Sequence, residues 1–499
     1  MNSSLSSPFR QPSFALLSVS CISMAAVFMA GCGSGGKVSS TTTTTTTTGS
    51  TSVTVLASST ANDQLSGLTL DITGITLTNA EGKSVTLLTT PQYIEFIHLN
   101  GGVEPLTTVS VPQDAYTSVT ISATFGIPLC ATYSASNSSG VGEAFSVDPA
   151  PVTDVTSNLP EPITVSGTGM GLELNLQVLK STNYTSCAGI KSSSTPFSYT
   201  PTFTVTPVTL AAQPTNITDG MATGLRGLIG TVAAGGSSFS VAGDFGTGAG
   251  GPLWQVSSTG STVFQGVTGA SQLAAGMAVD MDVAIRADGT LQATRVAVYD
   301  TNPSNLSFSS GLQAYVSDSA PTMNPLAVEE QSLDFSYPQN GAIPYNISGA
   351  TFHISGQLTN VSTLPFTASF NAANMVPGQN IFVTTHAANN NLPLQATTLT
   401  LLPQTINGTI SAISSSGNFT TYTVTLAAYD LFPNLAGQSG QATLLTNPNS
   451  VVAYVDSNTL IYNTSPPAVG SVVRLNGLVF NDNGMLRMDC AQIGDGVAE

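Results

Sequence analysis

Chemistry in a protein of this composition must come from few side chains. The 499 residues carry 27 acidic and 10 basic groups and three histidines. His98, His353 and His386 lie far apart along the chain. No His-Glu-x-x-His pair is present to hold zinc, and no Gly-x-Ser-x-Gly elbow to expose a nucleophilic serine. The glycines from Gly246 to Gly251 lack the lysine and following helix of a phosphate loop, and read as a plain loop. Asp280 and Asp282 share one face of a strand, a geometry that serves a hard cation or an acid–base pair. The repeat register places Phe382 and Thr384 there in a second copy, and Arg474 and Asn476 in a third, which argues for a solvated strand face instead. Asp300 to Asn305 begins like a calcium loop. It has Asn305 at the sixth position, where Gly is needed, and Gly311 at the twelfth, where Glu is needed, so it reads as a linker. Trp254, the sole tryptophan, stands near Gly250, Gly251 and Pro252. It is either a core anchor or a platform contacting a sugar ligand. The expectation is no catalytic residue, no metal and no cofactor.

The cysteines give a different chemistry. Arg10 precedes an apolar run from Phe14 to Ala30, broken by Ser18, Ser20 and Ser23. That is the layout of a secretory leader, and it is short for a membrane span. The run closes on Phe28-Met29-Ala30-Gly31-Cys32, which resembles the lipobox of bacterial lipoproteins. The resemblance implies cleavage before Cys32, a diacylglyceryl group on its thiol and a membrane partner reached through that lipid. Gly33 in place of Asp favours the outer membrane by the same resemblance. An ordinary secretory leader and an uncleaved anchor are the alternatives. Beyond Cys32, Gly33 to Ser52 is Gly, Ser and Thr but for Lys37 and Val38, with Thr at every position from 41 to 48. Such a stretch has no apolar area with which to offset its ordering entropy, so it reads as a tether. As a coil it reaches roughly 25 Å. In an exported chain Cys130 and Cys187 form the natural disulfide. Cys490, in a strand pattern with Leu486 and Met488, reads as a buried small hydrophobe.

The remaining residues must build the scaffold. Hydrophobic residues make up 41%, enough for real cores, while charged residues are only 7% against a usual value near 25%. The surface is therefore Ser, Thr, Asn, Gln and Gly. A net charge of −17 disfavours nucleic acid as a partner. From 53 to 212 the apolar pattern has period two, as in Leu172, Leu174, Leu176 and Val178, and argues for an antiparallel β-sandwich. The order Leu68 to Leu77, Val85 to Leu87, Pro91 to Phe96 and Val111-Pro112-Gln113-Asp114-Ala115-Tyr116 resembles the bacterial lipoprotein family named domain of unknown function forty-three eighty-two. In place of that family's early Asp-Ala-Pro stands Ala57-Ser58-Ser59-Thr60.

Residues 213–224 read as a linker, and three repeats follow at 225–302, 303–403 and 404–499. Gly276, Gly378 and Gly470 each precede a strand, a turn and a Leu: Leu291, Leu394 and Leu486. The copies open on Leu228 to Val232, Leu312 to Val316 and Ile406 to Ile410. Each has a Thr with an aromatic ahead of its Gly: Thr262 and Phe264, Thr351 and Phe352, Thr459 and Tyr462. Asp288-Gly289 and Asn483-Gly484 are hairpin signals of the two-residue kind, in which both residues take positive φ. The copies resemble domain of unknown function fifty-six sixty-six. The fold expected is all-β: a leader at 1–31, a tether at 32–52, the sandwich, then three small antiparallel barrel-like modules. The function expected is non-catalytic binding or structure at the cell envelope. Partners would be a polysaccharide or an envelope protein, a carbohydrate-binding or adhesion role being the alternative and an envelope hydrolase the second.

Overall fold

The structure is a computed structural model. It describes residues 49–60, 67–96, 99, 102–129, 132–133, 142–143, 153–181, 200–243, 251–300, 312–318, 326–330, 342–355, 361–385, 394–428, 431–436, 445–461 and 466–496. Residues 48–499 cluster as one compact unit. It is all-β among the described residues, with only single helical turns such as Val178–Ser181 and Leu431–Ala436.

The first part comprises β1 (Ser50–Ser59), β2 (Gly67–Asn79), β3 (Ser84–Leu88), β4 (Gln92–Glu95), β5 (Glu104–Pro112), β6 (Asp114–Leu129), β7 (Thr132–Tyr133), β8 (Gly142–Glu143), β9 (Thr153–Val165), β10 (Gly169–Leu176) and β11 (Phe203–Val208). One sheet runs β11-β10-β1-β5; the other runs β3-β2-β6-β9 with β4 on β2. Alternate residues of both sheets meet in one core: Val53, Val55, Leu172 and Leu174 from the first, Leu70, Ile72, Ile75, Val119 and Ile121 from the second. This is the sandwich that the period-two pattern requires. It departs from a purely antiparallel plan, because β1 pairs β10 in parallel.

Three six-stranded sheets follow. The first is β12 (Met221–Val232), β13 (Ser238–Gly243), β14 (Leu253–Ser257), β15 (Val263–Gln265), β16 (Ala278–Ile285) and β17 (Leu291–Asp300). The second is β18 (Leu312–Asp318), β19 (Leu326–Glu330), β20 (Ala342–Asn346), β21 (Thr351–Ile354), β22 (Asn380–Thr385) and β23 (Leu394–Leu401). The third is β24 (Gln404–Ser416), β25 (Phe419–Leu426), β26 (Ser450–Val455), β27 (Leu460–Ile461), β28 (Val472–Asp482) and β29 (Met485–Asp495). All three share one order, third-second-first-fifth-sixth-fourth, and in each the third strand also pairs the sixth. Five strands thus close into a barrel, and the fourth continues alongside the sixth. The ring has four antiparallel steps, so its fifth step must be parallel, as at Val256↔Leu291 and Val451↔Leu486. The barrels are therefore not purely antiparallel.

The repeat is visible atom by atom. A β-bulge follows the same cross-strand pair in each barrel: Asp282↔Arg295, Thr384↔Thr398 and Asn476↔Gln492. A bulge at one fixed place bends the sheet enough to close so small a ring. Two of the repeated threonines are equivalent: Thr262 and Thr459 donate to the carbonyls of Ala293 and Cys490 on the sixth strand, both at 2.8 Å, whereas Thr351 stands one position on, at the place of Val263 and Leu460, and donates to the Thr397 carbonyl at 3.1 Å. The opening strands align differently from the sequence reading. Gly227, not Gly230, corresponds to Ala314 and Gly408, for these three face Val279, Ile381 and Val473. A Cβ on Gly227 would lie 2.1 Å from the Ala242 carbonyl oxygen, and one on Gly408 2.3 Å from that of Thr425. The turns also differ. Asn483 and Gly484 both have positive φ, as a two-residue hairpin demands, whereas at the first barrel only Gly289 does. There Arg286 donates to the Thr290 carbonyl around a three-residue loop, with Gly289 supplying the left-handed position.

The modules pack against one another rather than hanging as beads. Leu56, Val103 and Val208 of the sandwich are buried in the first barrel's core. Tyr299 of the first barrel stacks on Phe382 of the second, ring centroids 5.1 Å apart, with Ala278 and Leu402 buried beside them. Leu478 and Phe480 of β28 sit in the second barrel's core with Ile381, Val383 and Leu399. Gln492 of the third barrel donates to Thr223 of the first at 2.7 Å.

Candidate functional site

Two carboxylates and two guanidiniums converge on the outer face of β16 and β17. The inner face of β16 supplies Val279, Met281, Val283 and Ile285 to the barrel core, so Asp280 and Asp282 point outward. That face is not solvated, contrary to the sequence expectation. Asp280 is 0% exposed and Asp282 6%, because the second barrel covers it through Phe382 and Leu402. Arg295, opposite Asp282 in register, donates through Nε to Asp282 Oδ2 at 2.6 Å and through Nη2 to Asp282 Oδ1 at 3.0 Å. The same Nη2 donates to Asp280 Oδ1. Asp280 Oδ2 accepts from Tyr299 Oη at 2.8 Å and from Arg226 Nε at 3.4 Å. The Gly224 N–H completes Asp282 at 3.0 Å.

Two carboxylates and two guanidiniums neutralise one another, and each carboxylate oxygen is engaged. Burial pushes Asp280 upward, but Arg295 and Arg226 outweigh it and hold the carboxyl below its ordinary value. Burial works against the Arg295 charge, yet Asp282 and Asp280 hold it more firmly protonated than usual. Burial and the Asp280 charge push Tyr299 well above the ordinary phenol range. A general acid or base needs a proton that exchanges near the working pH. Asp280, Arg295 and Tyr299 are each moved away from such a value, and a metal would have to displace Arg295. No group of three or more His, Cys, Asp or Glu among the described residues could hold a metal ion.

The other candidates are dispersed. Trp254 is 4% exposed and packs in the first barrel's core, its Nε1 donating to the Pro105 carbonyl at 2.8 Å. A ring enclosed in this way joins the sandwich to the barrel and offers no face to a sugar. Cys490 is a free thiol, 1% exposed, and donates to the Gln492 carbonyl at 3.2 Å. Burial and the neighbouring Asp489 push it far above the usual thiol range, which leaves almost no thiolate. His353 lies exposed on β21. Cys32, Cys130, Cys187, His98 and His386 lie outside the described residues.

Sequence reasoning found Asp280 and Asp282 but missed their partners. The signal was present: a hairpin closing around Asp288 and Gly289 brings Arg295 opposite Asp282 on the same face. It also missed Asp489, 1% exposed on β29, whose burial depends on what the second barrel places over it.

A scan against models of protein families gives no match for this chain, and a search among curated proteins gives none either. Among solved structures, the Drosophila chain "drosophila Unr CSD456" aligns with 56% of this chain and 99% of its own length, at 10% identity and a TM-score of 0.14. A TM-score that low carries no argument about fold or function.

Proposed function

We propose that the protein is an exported lipoprotein, anchored by acyl chains on Cys32, that serves a non-catalytic binding or structural role at the cell envelope. Ala30-Gly31-Cys32 ahead of a Gly/Ser/Thr tether supports the anchor. Two or more acyl chains hold a protein stably at a bilayer, where one does so only marginally. The lipid would hold the folded block at the outer membrane, in contact with a neighbouring polymer or envelope protein. The observation that carries the non-catalytic reading is the saturation of Asp280 and Asp282. The same-face carboxylate pair that could have run acid–base chemistry is neutralised by Arg295 and Arg226 and sealed between barrels.

The test is to assay the purified full chain against glycosidase, esterase and peptidase substrates and on a glycan array. The reading expects no turnover. Turnover that co-purifies with the chain and is abolished by His98→Ala or Asp280→Asn would overturn it in favour of a hydrolase. Glycan capture without turnover would identify the polymer.

A further inference from the structure

The sandwich has two broad outer faces, and the first barrel packs on one of them through Leu56 of β1. The other belongs to the sheet β3-β2-β6-β9. Ile75 and Leu77 of β2, with Val119 and Ile121 of β6, fill the sandwich core, so the residues that alternate with them point outward. Register sets those residues in rows. Thr86, Thr76, Thr120 and Thr156 stand side by side across four strands. Ser84, Thr78 and Ser118 form the row beside it. Each of them is half-buried or exposed. Neither row holds an apolar residue, so this face lacks the buried anchors on which protein partners depend.

The rows are hydroxyl arrays. Thr120 and Thr156 share a hydrogen bond of 3.0 Å, and Thr78 and Ser84 one of 2.9 Å. One O–H serves each pair, which leaves the pair a second O–H and further lone pairs for another group. The charge beside them is acidic. Asp154 lies opposite Ser122, and Asp71 opposite Thr124, just past the threonine row. β2, β3, β4, β6 and β9 contain no Lys or Arg. Such a face repels a polyanion, whereas its carboxylates accept well from a neutral hydroxyl. Tyr93 of β4, half-buried opposite Asp71, adds an aromatic at the end of the face.

The spacing selects the shape of the partner. Neighbouring strands are about 4.8 Å apart, so the threonine row offers one hydroxyl per strand over about 14 Å, with the second row about 7 Å away. An extended glycan is a ribbon with hydroxyls along both edges, and its sugar units repeat at much the same interval. We propose that this face docks a neutral, extended polysaccharide lying across β3, β2, β6 and β9, one edge of the ribbon on each row. The inference rests on the binding role proposed above and gives it a surface and a partner class. Each hydroxyl contact yields only a small net gain over water, and a long chain adds many of them.

Affinity electrophoresis of the full chain in detergent tests it, in gels holding hydroxyethyl cellulose or its anionic counterpart, carboxymethyl cellulose. The neutral polymer should retard the wild type, and the anionic one should bind at least tenfold more weakly. Thr76→Val with Thr120→Val removes two hydroxyls of one row and keeps the branched shape. Its dissociation constant for hydroxyethyl cellulose should rise about tenfold or more. Thr206→Val, an exposed hydroxyl on β11 of the other sheet, should behave as the wild type. Urea midpoints matching the wild type, read from Trp254, establish that the variants fold. No retardation of the wild type, equal retardation of the double variant, a loss in Thr206→Val, or equal binding of carboxymethyl cellulose would each overturn the proposal. Retardation that depends on Thr76 and Thr120 but comes with cleavage of the polymer would support the surface and overturn only the non-catalytic reading.

Discussion

Arg295→Met tests the charged cluster most sharply. The guanidinium holds both oxygens of Asp282 and one of Asp280, and the methionine keeps volume but no charge. Asp280 would retain Arg226 and Tyr299, while Asp282 would retain the Gly224 N–H. The site would pass from neutral to one net negative charge under the second barrel. Breaking a buried pair from one side costs about 3–5 kcal/mol, because the orphaned ion has been removed from water. Removing both sides in Arg295→Met with Asp282→Leu should recover much of that loss, since apolar replacement of a whole buried pair is often near neutral. The sign of the pH response should reverse as well. In the wild type, Asp280 is held below its ordinary value, so its contribution is present above about pH 4 and is lost on acidification. In Arg295→Met the uncompensated carboxylate should be stabilised by protonation, so acidification from pH 7 to 5 should raise stability. Trp254 is the sole tryptophan and is buried where the sandwich meets the first barrel, so its fluorescence in urea reports this region. A loss below about 1 kcal/mol, in the range of an exposed ion pair, would refute the claim that the cluster is sealed.

The other predictions concern packing and the thiols. Gly227→Ala and Gly408→Ala force a Cβ to within 2.1 and 2.3 Å of the neighbouring strand's carbonyl, so each should lower the midpoint of its own barrel, read by hydrogen exchange of β12 and β24. Trp254→Phe removes the donor to the Pro105 carbonyl and should cost about 1–3 kcal/mol, measured by calorimetry. Cys490 should resist a thiol reagent in the native state and react on unfolding. Mapping without reductant should find Cys130 joined to Cys187, a bridge worth about 4 kcal/mol in the chain-entropy account.

The sequence shows most plainly what depends on one strand and its turn. Val279, Met281, Val283 and Ile285 advertise a core face by alternation alone, and they fill the first barrel. The repeated Thr262, Thr351 and Thr459 are equally legible, because each bonds within its own copy. What fails to show is anything decided between copies. Asp280 and Asp282 look solvated in isolation, since the strand pattern does not say that Phe382 and Leu402 will cover them. Asp489 is hidden for the same reason, and Trp254 is buried by a carbonyl 149 residues away. The parallel closure is latent too. It follows from counting five strands around a ring, and no residue in β14 or β17 announces it.

The account's central claim is the anchor, and the mass of the mature N-terminal peptide tests it most directly. Lipidation predicts a chain beginning at Cys32 and heavier by a diacylglyceryl group with its two acyl chains, which partitions with membranes, and a Cys32→Ala chain that is unlipidated and released from them. An unmodified thiol at Cys32 in a wild-type chain, together with a Cys32→Ala chain that stays with the membrane, would contradict it.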